Sequence, residues 1–398
     1  MKIALISIHY TPLNTSCAVQ MRDMARALLS QGHEPLVIVP SNDLKNSYKT
    51  EIIDGIKVFR LKTFGATDIG YIWRGISEIV MSFTILSSIR KSGFPMKDLD
   101  GVVWYSPSIF FGPIVNLLKH KSNCPTYLIL RDIFPEWALD LGILRKTPIY
   151  YLFKLFAKYQ YSLANIIGVQ TPSNLKYLEN WSMGSNRQLE VLNNWLSTPH
   201  SKKTNISLTS THLSGRKLFV YIGNMGIAQG MDVLIKLAES LQDRRDIGFL
   251  FVGRGSELER LKKYSSDKKL NNILFYEEVS SEEIPDLLSM CHVGLVALDS
   301  RHKSHNIPGK FLSYMHAGLP VLAKVNAGTD LINLIQDENV GYVYTGNKIN
   351  DLRGLAEDLI SNEKNLLDMS KQAKTLMRKT FSSISAAEQI ISSLLNFR

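Results

Sequence analysis

The chain is poor in cysteine: Cys17, Cys124 and Cys291 are its three, set far apart with no C-x-x-C pair. That excludes a disulfide scaffold and a cysteine-rich zinc site and fits a reducing compartment. Long apolar runs are missing too. The longest, 79–89, has 11 residues, against about 20 for a spanning helix, so no transmembrane helix is expected. The opening Met1–Ile8 is apolar but runs at once into His9, Tyr10 and Pro12. It lacks the apolar length and small-residue cleavage site of a signal peptide and reads as a first buried strand. Also absent are a G-x-G-x-x-G after the first strand, a Walker lysine loop, a G-x-S-x-G elbow, H-x-x-x-H spacing and a zinc-deaminase pattern. These gaps argue against a dinucleotide dehydrogenase, a P-loop enzyme, a serine hydrolase and a metal site.

Acidic residues are in deficit: 36 Asp+Glu against 46 Lys+Arg, a net charge of +10. The excess is uneven, with 21 basic against 14 acidic residues up to position 195 and 25 against 22 beyond it. A basic first half favours an anionic partner: membrane phosphates, a phosphorylated substrate or nucleic acid. Two segments carry aromatics and cations together. Tyr71–Lys91 has Trp73 and Phe83 with Arg74, Arg90 and Lys91, and Lys146–Leu163 has four tyrosines and two phenylalanines with Lys154 and Lys158. Each reads either as a helix lying on a membrane surface or as a core helix with a solvated edge. No known nucleic-acid module matches, and no nucleic-acid partner is expected.

The 398 residues, 45% apolar and 21% charged, are enough for two or three globular domains. Short apolar runs alternate with amphipathic stretches, the pattern of an α/β fold with parallel sheets. Strands are expected at Lys2–Ile8, Pro35–Val39, Gly101–Trp104, Thr126–Leu130 and Ile166–Val169. The alternation restarts with Leu218–Ile222, Gly248–Val252, Ile273–Tyr276, Val293–Ala297 and Pro320–Leu322. Between them, 197–216 is polar, Ser/Thr-rich and basic and reads as a linker. The expected plan is a first domain over 1–196, a linker over 197–216, a second domain over 217–377 and a C-terminal segment over 378–398 whose helix packs back on the first domain. Two such halves place a cleft between the carboxyl ends of their strands.

Three signals in the second half point to phosphate. Gly223-Asn224-Met225-Gly226-Ile227-Ala228-Gln229-Gly230 joins a strand to a helix. Glycines there expose backbone N–H groups beside a positive helix end, or simply satisfy a tight turn. Gly253-Arg254-Gly255 follows the next strand, so Arg254 either reaches a diphosphate or is a solvated surface arginine. At His305-Asn306-Ile307-Pro308-Gly309-Lys310 a Pro-Gly turn opens a helix with Lys310 in its first turn. A cation there opposes the helix dipole, which suits a ligand better than stability. In the first half Arg131-Asp132 and Glu136 follow a buried strand, as site residues or as an ion pair holding a loop.

Taken in order along the chain, KIALISIHYTP, RDIFPE, GVQTPS, VLNNW, YIGNMGIAQGMDVLI, FLFVGRGSELERL and NIPGKFLSYMHAGLPVLA resemble the GT-B glycosyltransferases of family 4. The IPGKFLSYM form looks most like bacterial L-fucosamine (N-acetyl-fucosaminyl) transferases of surface-polysaccharide biosynthesis. The resemblance implies two Rossmann-like doubly wound domains facing a central cleft. It implies transfer of N-acetyl-L-fucosamine from a UDP-sugar to a lipid-linked or oligosaccharide acceptor in O-antigen or capsule synthesis. It further implies retention of configuration, no metal and no cofactor beyond the nucleotide-sugar substrate. The location implied is cytoplasmic, peripheral on the inner face of the membrane. Lys310, Arg254 and Asp132 are then the catalytic candidates. Gly223, Asn224, Gly226, Gln229, Gly230, His305, Pro308, Gly309 and Ser313 are the donor candidates. Thr11, Asn14, Arg131 and Glu136 are the candidates for orienting the acceptor. The sequence departs from the family where its paired glutamates stand, at His305 and Ser313, and where a lysine often precedes Gly230, at Gln229. A UDP-sugar 2-epimerase and a non-catalytic nucleotide-sugar-binding subunit are the competing readings.

Overall fold

The computed structural model describes the chain except Asn14, 64–70, Pro107, 141–143, Ser185, 198–200, 300–305 and Arg398, and leaves aside the side chains of 71–77, Trp137, Asp140 and Ala228. It divides into two units, Met1–Trp195 with Ser383–Arg398, and Leu196–Ser382.

In the first unit the chain runs β1 (Lys2–Ile6), α1 (Ser16–Ser30), β2 (Glu34–Ser41), β3 (Tyr48–Ile53), β4 (Ile56–Lys62) and α2 (Tyr71–Lys91). It continues through β5 (Gly101–Tyr105), α3 (Gly112–Ser122), β6 (Thr126–Leu130), α4 (Glu136–Asp140) and α5 (Pro148–Leu163). It then passes β7 (Ile166–Val169), α6 (Pro172–Leu175), α7 (Glu179–Ser182) and β8 (Gln188–Val191). The sheet order is β3-β4-β2-β1-β5-β6-β7-β8. Its central strands are buried on both faces, as continuous apolar runs require. All pairs are parallel except β3 with β4. That hairpin was not expected, although Asp54-Gly55 between alternating residues signals it. Both residues take positive φ, 53° and 78°, which a two-residue hairpin turn needs. β1 stops two residues short of its expected end because the Ser7 hydroxyl turns back to donate to the His9 carbonyl at 2.6 Å.

The second unit runs β9 (Lys217–Ile222), α8 (Asp232–Ser240), β10 (Ile247–Val252), α9 (Leu258–Asp267) and β11 (Ile273–Tyr276). Next come α10 (Ile284–Ser289), β12 (Val293–Ala297), α11 (Gly309–Ala317), β13 (Val321–Lys324) and α12 (Asp330–Asp337). β14 (Gly341–Tyr344), α13 (Ile349–Ser361) and α14 (Glu363–Thr380) complete it. Its six strands are all parallel, ordered β11-β10-β9-β12-β13-β14. The last helix, α15 (Ser383–Leu395), packs on α1 and buries Ala387, Ile390 and Leu394 in the first unit.

Two boundaries differ from the sequence expectation. The 197–216 stretch is not a linker, since its described part is built into the second unit. Leu208 and Leu213 enter that core, and the Lys202 and Thr204 N–H groups donate to the Glu282 carbonyl and the Asp286 carboxylate at 2.8 Å each. Two leucines and a few backbone bonds anchor a segment whose composition reads as loop. The second unit also extends past 377. Phe381 is fully buried edge-on to Phe311, 6.1 Å between ring centres, and its carbonyl accepts from Leu196 N–H at 2.9 Å.

Candidate nucleotide-sugar site

In the second sheet the order reverses between β9 and β12, and these strands pair only at Val293–Phe219 and Gly294–Val220. Beyond that they part, because the Tyr314 side chain of α11 enters between them. Its hydroxyl accepts from Ile222 N–H at 3.2 Å and lies 3.2 and 3.1 Å from the carbonyls of Val220 and Leu295. Gly294 makes room, since a Cβ there would meet the Tyr314 ring at 2.4 Å. A crevice at the carboxyl ends of two parting strands is where open α/β sheets bind ligands.

The turn after β9 lies in this crevice. Gly223 (φ 109°) and Gly230 (φ 57°) hold positive angles suited to glycine. A Cβ on Gly230 would meet the Asp299 backbone at 3.0 Å. The next glycine turn backs onto the first: a Cβ on Gly253 would fall 2.0 Å from the Gly223 carbonyl oxygen. Met225 N–H donates to the Arg254 carbonyl at 2.7 Å, and Glu257 N–H to the Met225 carbonyl at 3.0 Å. The two glycine turns are thus one braced backbone platform.

Lys310 is half-buried in the first turn of α11, behind the Pro308 cap. Its Nζ donates to the Tyr221 hydroxyl at 2.7 Å and sits 4.1 Å from that ring's centre. The same hydroxyl donates to the Asn224 carbonyl at 2.6 Å. Lys310, the last residues of β9 and the glycine turn therefore form one linked group. A Cβ on Gly223 would stand 3.9 Å from the Lys310 side chain. Burial pushes the Lys310 ammonium down to about 8 and the Tyr221 phenol up. Gly309, beside Lys310, is exposed and has no atom within 4 Å of its would-be Cβ. A helix start open to solvent, with a lysine in its first turn, attracts an anion. Ser313, a turn later, is half-buried and makes no side-chain hydrogen bond among the described residues. His305 lies outside the described residues.

Other candidates are placed differently from the expectation. Gly226 N–H does not stand open for a diphosphate, because it donates to Gln229 Oε1 at 3.0 Å, which also accepts from Asn224 Nδ2 at 3.1 Å. The short 3₁₀ turn Ile227–Gln229 leaves an orphan N–H at its start, and the Gln229 amide caps it. The Arg254 side chain is 79% exposed and paired with Glu278 at 3.1 Å. It joins the site through its backbone and reaches a ligand only by leaving that ion pair.

In the first unit, Arg131 is buried. It stacks over Trp195 at 4.7 Å and donates to the carbonyls of Leu192 at 2.7 Å and Asn193 at 3.2 Å. It ties the end of β6 to 192–195 and is not available to orient an acceptor. Asp132 is half-buried, and burial raises its carboxyl pKa against the lowering effect of Arg131. Glu136 pairs with Lys154 at 3.3 Å, so its charge is already answered. The Thr11 carbonyl accepts from Arg60. Asn14 lies outside the described residues.

Sequence reasoning missed Tyr221 and Tyr314, which read as strand and helix core. A tyrosine two residues before a glycine turn was the available signal for the first. No three His, Cys, Asp or Glu side chains cluster as a metal site among the described residues.

Residues 203–376 match the family described as glycosyl transferases group 1. Over 368 residues the chain is 25% identical to the putative colanic acid biosynthesis glycosyl transferase WcaI of Escherichia coli K12, covering 84% of this chain and 86% of that one. It is 23% identical over 240 residues to the probable glycosyltransferase WbjE of Pseudomonas aeruginosa, a match spanning 57% of either chain. Among solved structures, sucrose-phosphate synthase from Thermosynechococcus elongatus aligns with a TM-score of 0.72 at 15% identity, covering 99% of this chain and 98% of that one. Anabaena Alr3699/HepE, solved in complex with UDP and glucose, aligns with 0.66 at 13%, with full coverage of both chains. The fold is GT-B: two α/β domains, the first on a mainly parallel sheet and the second on an all-parallel one. Its second domain carries the group 1 glycosyltransferase match.

Proposed function

We propose that this protein is a glycosyltransferase of surface-polysaccharide synthesis. It takes N-acetyl-L-fucosamine from a UDP-sugar and passes it, with retention, to a lipid-linked or oligosaccharide acceptor. The observation that carries the reading is Lys310. It is a half-buried ammonium tied through Tyr221 to the glycine turn. It stands at the open start of α11, in a crevice where strands part, within the segment that matches the family. That is the chemistry a diphosphate needs.

Breaking the sugar–phosphate bond builds negative charge on the departing diphosphate. In the proposed mechanism Lys310 and the start of α11 stabilise that charge as it forms, which lowers the barrier without a metal. Arg254 adds a second cation on leaving Glu278. The departing phosphate takes the acceptor's proton, so no separate base is required, and Asp132 orients acceptor or sugar. An acceptor on a lipid carrier places the reaction at the inner face of the cytoplasmic membrane.

Calorimetry with UDP, GDP and NADH on the purified chain and on Lys310→Ala tests the donor assignment. Tight UDP binding, weakened in the variant, is expected. A preference for GDP keeps a transferase but discards the UDP-linked donor, and no binding to any of the three overturns the reading.

A further inference from the structure

The first unit carries a cavity at the edge where its strands begin. Its volume is about 470 Å³, inside the range of roughly 300–1,000 Å³ that small-molecule sites occupy. Asp100 and Asn165 line it, and they stand directly before β5 and β7. Asp132 instead follows β6, a strand of five residues, so the cavity lies at the opposite edge of the sheet from it, about 17 Å away. The other walls come from the end of α3, with Lys119 and Asn123, and from Phe397 beyond α15. None of these residues serves the candidate donor site.

The lining is polar, yet its charges cancel, with Lys119 against Asp100. Lys119 Nζ donates to the Leu163 carbonyl at 2.9 Å, where α5 ends, and has no second hydrogen-bond partner among the described residues. An ammonium has three N–H donors, and burial holds the pKa of this one below its ordinary value. Asn165 Oδ1 accepts from the Thr126 N–H at 3.2 Å and the Thr126 hydroxyl at 2.9 Å, while its Nδ2 donates to no described residue. Asp100 is fixed by the Lys2 N–H, 2.7 Å from its Oδ2. Asn123 closes α3 at φ 50° and adds a second, exposed amide at the rim.

These groups exclude most ligand classes. The Asp100 carboxylate and the carbonyl ends of α3 and α5 repel an anion, and Lys119 repels a cation. An apolar ligand would strand the amides and the ammonium without partners. A neutral polyol suits donors and acceptors set side by side. Phe397 and Leu99 add an apolar wall, which matches the C–H face of a sugar ring and has no counterpart on a small open-chain polyol. We infer that this cavity binds a pyranose residue of a saccharide, with Lys119 and Asn165 donating to its hydroxyls, Asp100 accepting from one and Phe397 packing on the ring face. The inference does not need the transferase reading. On that reading, a sugar so far from the Asp132 edge is one other than the sugar being transferred.

Saturation-transfer NMR titrations of the full chain with the methyl glycosides of glucose, galactose and N-acetylglucosamine test it. Glycerol and glycine stand beside them as an open-chain polyol and a zwitterion. At least one glycoside is expected to bind, and more tightly than either small probe. Lys119→Met should raise its dissociation constant about tenfold, the value of a hydrogen bond to a charged group. Phe397→Leu should raise it roughly threefold to fivefold, for the lost ring face. Phe397→Leu keeps apolar volume in place and should melt with the wild type, so it decides the matter even if Lys119→Met, cut from the Leu163 carbonyl, does not fold. No glycoside binding, tighter binding of glycerol or glycine, or glycoside binding that Phe397→Leu leaves unchanged overturns the inference. So does binding that is lost in Asp132→Asn and kept in Phe397→Leu, which would give the sugar to the opposite edge. UDP calorimetry on the same preparations separates the two proposals. The cavity variants should bind UDP as the wild type does, and glycoside binding without UDP binding sinks the transferase and leaves the cavity standing.

Discussion

The ammonium of Lys310 lies 2.7 Å from the hydroxyl of Tyr221, which in turn lies 2.6 Å from the carbonyl of Asn224. A cation on one helix and a glycine turn on one strand are thereby held as a single unit, although 86 residues separate Lys310 from Asn224 in the chain. The lysine keeps its place at the expense of hydration, so its charge is sensitive to pH and its position to one phenol.

Replacing Lys310 by Ala should weaken UDP binding by roughly 10- to 100-fold, the value of one charge-assisted hydrogen bond. Isothermal calorimetry near neutral pH reads the change directly. The fold should hold, because an ammonium that gives up its hydration costs the protein stability.

The pH dependence should run in opposite directions for binding and folding. Lys310 titrates at about 8 in the folded chain against an ordinary 10.5. Below 8 it is charged in both states, and its burial opposes folding in full. From 8 to 10.5 the unfolded chain binds more protons, so the Lys310 contribution to stability rises, by about 2–3 kcal/mol across the window. UDP affinity should fall over the same window as the charge is lost. Urea unfolding of the wild type minus Lys310→Met, with UDP titrations at matched pH, would show both trends; parallel trends would contradict the assignment.

Tyr221→Phe removes the acceptor of the lysine and the donor to Asn224. Stability should drop by about 1–2 kcal/mol. The pH at which UDP affinity begins to fall should move below that of the wild type, since the ammonium loses the hydroxyl that accepts its hydrogen bond. A purely structural role for Tyr221 would lower the melting temperature and leave that pH unchanged.

The amide of Gln229 occupies the Gly226 N–H. Gln229→Lys should withdraw the capping oxygen and place a cation beside the turn. UDP should then bind roughly 3- to 10-fold tighter, with Gln229→Ala in between, as dissociation constants for the three proteins would reveal.

Arg131→Met should act on stability and not on donor binding. The guanidinium serves two backbone carbonyls under Trp195, and its loss strands them, at about 2–4 kcal/mol. A denaturation midpoint that falls while the UDP dissociation constant stays put is the expected pair of results. An unchanged midpoint with lost acceptor turnover would restore Arg131 to a substrate role.

Much of the second domain was legible because each local signal agreed with its neighbours. The runs at Leu218–Ile222 and Gly248–Val252 are buried strands, and Pro308-Gly309-Lys310 does open a helix. Less legible were elements whose partners lie far off in sequence. The β3–β4 hairpin carries its turn signal in two residues, while 201–216 hides its role behind Ser and Thr that a core leucine pair outweighs. Arg131 and Glu136 have the composition of site residues, and only the partners they meet, backbone carbonyls in one case and Lys154 in the other, take them out of play.

By itself the sequence determined the α/β alternation, the glycine turns and the lysine that opens α11. Periodicity, backbone freedom and helix-end electrostatics are local properties, carried by residues close together in the chain. Tertiary structure alone decided which donors stay open and which cations are already answered. Gln229 closes the Gly226 N–H, Glu278 holds Arg254, and Tyr221 binds Lys310 to the turn. Those outcomes depend on distances of about 3 Å between side chains brought together from separate elements, and a hydrogen bond is settled at that scale.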